Sequence, residues 1–169
     1  MGLSTTLNRL AFCRRSPEMS LLDQILTGKI LVAGVGCLDR GDDGFGPALV
    51  RKLQALGWQN ALDCGDRLED FTLDIVGRAP DRILIADAVD MKARPGEIAV
   101  LRIPDVAGAE PHGHGSSLGR VMEYLQLRTG AEVLLLGVQP DKGSGKLSPE
   151  VQATIEELAA AFDASWCPS

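Results

Sequence analysis

The chain has 169 residues, of which 45% are hydrophobic and 24% charged, the size and composition of one folded domain rather than of a disordered segment. Seventeen Lys and Arg against 23 Asp and Glu leave a formal net charge of −6, which excludes the basic stripe of a nucleic-acid binder. No apolar run approaches the roughly 18 residues of a membrane span, and the four cysteines, Cys13, Cys37, Cys64 and Cys167, include no C-x-x-C pair, so reduced thiols, a cytoplasmic location and no membrane partner are expected.

Residues 1–28 read as an N-terminal extension and residues 29–169 as the functional domain. Ser16-Pro17-Glu18 supplies a cap, a proline for the first helical position and an acid for the helix dipole, which predicts a short helix to about Leu26 with Gly28 as its stop. Residues before Ser16 lack apolar periodicity and are expected to be disordered or to dock away from the catalytic edge. Lys29–Gly34 (KILVAG) is the first strand, followed by a Gly- and Asp-rich loop to Gly46. Leu49, Leu53 and Leu56 then recur at helical spacing up to Gly57.

A short strand ends at Asp63, an amphipathic segment covers about Leu68 to Val76, and Arg82–Ala86 (RILIA) is a strand ending at Asp87. Glu97–Ile103 is a strand entered through a Pro95-Gly96 turn, with a polar loop over Pro104–Ser116. Leu118, Val121, Met122 and Leu125 mark the next helix, Glu132–Val138 the last strand, and Ser148-Pro149-Glu150 the start of a final helix. The alternation predicts a single three-layer α/β/α sandwich with a mostly parallel, five-stranded sheet, Glu97–Ile103 being the one antiparallel member.

Such sheets bind ligands at the carboxyl ends of their strands, and this chain places acids there repeatedly: Asp42 and Asp43, Asp63, and Asp87. Gly34-Val35-Gly36 invites a dinucleotide-binding reading, but position 39 is Asp39, and Asp42 and Asp43 stand where a pyrophosphate would meet the helix. Lys142-Gly143-Ser144-Gly145-Lys146 lacks the first glycine of a P-loop. Asp43, Asp63 and one of the two histidines, His112 and His114, would make an open three-ligand site suited to nickel, zinc or iron(II). The alternative is that the acids cap a helix and a turn while the histidines are solvated.

From Lys29 to about Phe162 the chain resembles the maturation endopeptidases of nickel–iron hydrogenases. The residues that carry the likeness are Gly34, Gly36, Cys37, Leu38, Asp42, Asp43, Gly44 and Gly46, then Leu62-Asp63-Cys64-Gly65, then His114 to Leu118, and then Leu136 to Pro140. Leu68-Glu69-Asp70-Phe71-Thr72 and Gln139-Pro140-Asp141 tilt the likeness toward the formate-hydrogenlyase branch. Cys37 replaces an Asn of the family pattern, and Asp66 stands where Thr is common.

The resemblance implies a peptidase that removes a C-terminal extension from the nickel-loaded precursor of a hydrogenase large subunit. It implies that Asp43, Asp63 and His114 contact nickel carried by the substrate and act in catalysis, with no cofactor stored by the enzyme. Asp42 becomes a helix-start or supporting acid, Asp87 a structural or substrate-facing residue, and His112 a loop histidine without a role. A metal could polarise the carbonyl or activate water, or an Asp could serve as general base. The chain is expected to act as a monomer. The rival reading is a nickel-sensing chaperone that binds the loaded precursor without cutting it.

Overall fold

Short β-branched and leucine-rich runs alternate with amphipathic stretches, and the computed structural model turns that pattern into strands and helices over residues 9–10, 19–108, 115–143 and 145–165. In chain order these are β1 (Arg9–Leu10), α1 (Met19–Ile25), β2 (Ile30–Gly34), a 3-10 turn (Gly41–Gly44), α2 (Phe45–Ala55), β3 (Ala61–Asp63), a second 3-10 turn (Leu68–Phe71), α3 (Thr72–Gly77) and β4 (Arg82–Ala88). They continue as β5 (Ile98–Arg102), α4 (Ile103–Gly108), α5 (Gly115–Thr129), β6 (Glu132–Val138) and α6 (Pro149–Ser165). The sheet order is β1-β5-β6-β4-β2-β3. β3, β2, β4 and β6 pair in parallel, and β5 lies antiparallel to β6 as expected.

Side chains alternate across the sheet, so each central strand feeds both cores. Val32, Leu84, Ala86, Leu134 and Leu136 meet Leu49, Leu53, Ile155, Leu158 and Phe162 from α2 and α6. Leu31, Ala33, Ile83, Ile85 and Leu135 meet Ile75, Met122 and Leu125 from α3 and α5. This is the three-layer α/β/α arrangement. No described helix is long and apolar enough to cross a membrane.

Three details differ from the sequence expectations. A two-residue strand, β1, pairs antiparallel with β5 at the sheet margin opposite β3, so six strands are described; the other residues before Met19 lie outside the described residues. The segment after β5 opens on a short helix, α4, where a polar loop was expected from Pro104. Pro104 suits the first turn, Asp105 Oδ2 accepts the Arg102 N–H at 3.0 Å, and Val106 is buried against the sheet. β4 also runs past Asp87 to Ala88, because Asp87 and Ala88 still pair with Gly137 and Val138 of β6.

The start of α2 rests directly on strand ends. A Cβ on Gly46 would lie 2.3 Å from the Ala86 carbonyl oxygen and 2.4 Å from both the nitrogen and oxygen of Val35. One on Gly34 would lie 2.4 Å from the Gly46 oxygen. Gly46→Ala should therefore cost on the order of 3 kcal/mol or more, since only backbone is available to move. In Gly119→Ala on α5 the new methyl meets nothing within 4 Å, and that change should be neutral or stabilise by up to about 1 kcal/mol. Chemical denaturation of the two variants beside the parent checks both signs.

Candidate active site

The loop after β2 folds back on itself. Gly36 has φ of 126°, and a Cβ there would fall 1.8 Å from the Asp43 carbonyl oxygen, so only glycine fits. The Cys37 N–H donates to Asp43 Oδ2 at 3.0 Å. That bond comes from the backbone, so the cysteine in place of asparagine leaves it intact. Gly36 N–H donates to the Gly65 carbonyl at 2.9 Å and Cys64 N–H to the Gly34 carbonyl at 2.8 Å, joining the loops that follow β2 and β3.

Asp42 and Asp43 are neighbours with different surroundings. Asp42 is buried, and its carboxylate accepts the Asp141 N–H at 2.8 Å, the Ser148 N–H at 2.6 Å and the Ser148 hydroxyl at 2.7 Å. Ser148 Oγ in turn accepts the Val151 N–H at 3.3 Å, capping α6. Asp42 is thus the anchor of the β6–α6 loop. Asp43 keeps 39% of its side chain exposed, with Arg40 Nη1 4.0 Å from Oδ2.

Strand parity separates the other two acids. Asp63 pairs with Gly34 just as Ala61 pairs with Val32, which puts it on the α2 face of the sheet. There Arg51 Nε stands 3.9 Å from Oδ2, and the Gly65 N–H donates to Oδ1 at 3.1 Å. Asp87 has the parity of Ile83 and Ile85, on the α3 and α5 face. Burial, then the charge of Asp43 and a smaller push from Asp66, raise Asp87 to about 7, against a hydrogen bond from the Ala88 backbone that lowers it. At neutral pH Asp87 is therefore protonated part of the time. Cys64 is buried beside Asp63, and burial followed by the charges of Asp63 and Asp74 pushes its thiol to about 12. It is no nucleophile.

α5 packs against the Leu68–Phe71 turn and descends beside the sheet to Thr129, from which Gly130 leads into β6. Its first residue, Gly115, is thus at the carboxyl edge. His112 and His114 themselves lie outside the described residues. Of the predicted trio, the structure describes Asp43 and Asp63 and brings their loops together. The sequence suggests a structural or substrate-facing place for Asp87; its raised pKa, on the face covered by the helix that follows His114, makes it a further candidate for the chemistry. Among the described residues, no three His, Cys, Asp or Glu side chains are grouped to hold a metal ion. Gln139, buried at the end of β6, accepts the Met91 N–H at 2.7 Å and the Ala93 N–H at 3.2 Å and so pins the β4–β5 loop at the same edge.

The family model described as HycI, hydrogenase maturation protease, matches residues 47–163. The chain is 37% identical over 110 residues to the hydrogenase 3 maturation protease of Escherichia coli K12, covering 63% of this chain and 70% of that protein. It is similar in structure to the hydrogenase maturation protease HycI of Thermococcus kodakarensis, with a TM-score of 0.78 at 27% identity over 86% of this chain and 97% of the other. The solution structure of the endopeptidase HycI from Escherichia coli matches with a TM-score of 0.72 at 29% identity, over 80% of this chain and 90% of the other.

Removing the buried Asp42 carboxylate leaves three donors without their acceptor. Asp42→Ala should cost about 2–4 kcal/mol, and Ser148→Ala about 1 kcal/mol, by equilibrium denaturation. Asp87 gives a pH-dependent effect of opposite sign. Its ordinary value is 3.8 and its folded value about 7, so the folded protein holds a proton that the unfolded chain has released. The destabilisation is absent below the ordinary value, grows as pH rises, and is complete above the folded value. Asp87→Asn should therefore raise the melting temperature at about pH 8 and leave it unchanged at about pH 3, with a ceiling of about 4 kcal/mol. Thermal melts across that range read the slope.

Proposed function

The chain belongs to the hydrogenase maturation protease family, and from that membership we propose that it removes a C-terminal extension from the nickel-loaded precursor of a hydrogenase large subunit. The observation that carries the reading is the set of acids at one sheet edge, where burial, and after it the charge of Asp43, raise Asp87 to about 7. A cation delivered to two such carboxylates replaces the Asp87 proton and removes their repulsion. The nickel is substrate: it arrives with the precursor and reports that loading is complete.

The resemblance assigns nickel contact to Asp43, Asp63 and His114. The charge of Asp43 on Asp87, and the place of Asp87 on the face covered by α5, favour these two as the paired carboxylates, with His114 just before α5 as the imidazole. Asp63 then shapes the neighbouring loop through Gly65 and Arg51. Hydrolysis adds water across the scissile amide, so the site must take a proton from water and return one to the leaving amine. Asp87, protonated part of the time near neutral pH, can exchange that proton with the reacting groups, and a metal beside the carbonyl would polarise it. A family of proteases does not favour the chaperone reading.

The test is incubation with nickel-loaded and nickel-free large-subunit precursor, followed by intact-mass measurement. The parent should shorten only the loaded form. Asp43→Asn, Asp87→Asn and His114→Ala should each reduce processing at least about a hundredfold, Asp63→Asn by less, and His112→Ala should be nearly silent. If Asp63→Asn abolishes cleavage while Asp87→Asn does not, the second acid is Asp63. A loaded precursor left intact by the parent enzyme removes the proteolytic reading.

A further inference from the structure

The acid edge carries a cation of its own. Arg40 Nη1 stands 3.4 Å from Asp66 Oδ2 and 4.0 Å from Asp43 Oδ2. Asp66, the residue that departs from the resemblance after the Asp63 turn, thus anchors a guanidinium from the preceding loop beside Asp43. With the Arg40 side chain 66% exposed and that of Asp66 47% exposed, the pair adds little to fold stability. Its position gives it another effect. A second cation approaching Asp43 must come within a few ångströms of a positive charge that Asp66 holds in place.

We propose that Arg40 is a specificity-determining residue that screens Asp43 from free divalent cations, so that the site accepts nickel already coordinated by the precursor and rejects the bare ion. The inference rests on the reading that Asp43 faces the precursor's nickel. A bare dication presents its whole charge to the guanidinium. A nickel ion held by anionic ligands of a protein presents much less, and the docking peptide adds contacts of its own. When the loaded precursor seats, Arg40 can withdraw to Asp66, its nearer partner, without losing its counter-charge.

The experiment is calorimetric titration of the purified enzyme with nickel chloride at low ionic strength, using the parent, Arg40→Gln, Arg40→Lys and Arg40→Gln combined with Asp43→Asn. Loss of one positive charge a few ångströms from the ion should tighten nickel binding about tenfold in Arg40→Gln. The gain should shrink in about 0.5 M salt. Arg40→Lys keeps the charge and should bind like the parent, and the gain should vanish in the Asp43→Asn background. In parallel, free nickel should inhibit processing of loaded precursor at about tenfold lower concentration for Arg40→Gln than for the parent. Equal binding by the parent and Arg40→Gln overturns the proposal, as does a gain that survives Asp43→Asn or appears equally in Arg40→Lys. If the parent fails to cleave loaded precursor while the binding shift is present, the proteolytic reading fails and the screening of Asp43 stands.

Discussion

The site depends on a backbone approach that admits no side chain. Gly46, in the first turn of α2, lies against the Ala86 carbonyl and the Val35 backbone, and Gly34 faces Gly46 with equally little room. The 3-10 turn of Gly41–Gly44 is consequently held down onto the ends of β2 and β4. That contact brings the charge of Asp43 to bear on Asp87, in the adjacent strand. A larger residue at position 34 or 46 would lift α2 off the sheet and part the two acids before any catalytic atom had been changed. The glycines therefore belong to the chemistry as much as to the fold.

Concentrating acids at one edge has an electrostatic cost, and the structure meets it in three ways. Asp42 is surrounded by neutral donors, which satisfy a buried carboxylate without a counter-ion. Asp63 and Asp66 each have an arginine within 4 Å. Asp87 stays partly protonated because burial and Asp43 oppose its ionisation. Only the last is reversible at neutral pH, so the energy stored there is available to the cation that the precursor delivers. A site with its full charge permanently neutralised would have nothing left with which to recognise a loaded substrate.

Much of this was legible in the residues. Apolar runs marked the strands, glycines and Ser148-Pro149-Glu150 marked helix ends, and the acids fell at carboxyl ends as the alternation required; Ser16-Pro17-Glu18 lies outside the described residues. Helix α4 was missed because Ile103 to Gly108 is too short for a helical period, and what stabilises it, Val106 against the sheet, is tertiary. Asp87 was placed after its strand because hydropathy stops at Ala86, whereas pairing with β6 carries the strand on to Ala88. The different surroundings of Asp63 and Asp87 have the same origin. Spacing says that both acids reach the same edge, but which face each occupies depends on strand parity and on which helix covers that face. The burial that perturbs Asp87 exists only in three dimensions.

The adjacent acids of the Gly41-Asp42-Asp43-Gly44 turn show why one short motif can serve both structure and chemistry. In a 3-10 turn successive side chains are about 120° apart, so neighbours cannot point the same way. Asp42 therefore turns into the protein, toward the β6–α6 loop, while Asp43 turns to the edge. The inward acid fixes the turn against Asp141 and Ser148, and through Ser148 against the first turn of α6. The outward acid is then carried on a segment clamped on two sides, by α6 through its neighbour and by the Cys37 N–H through its own Oδ2. An exposed carboxylate on an unclamped loop would spend binding energy on becoming ordered when its cation arrived. Here that ordering is part of folding, and the neighbouring carboxylate supplies it.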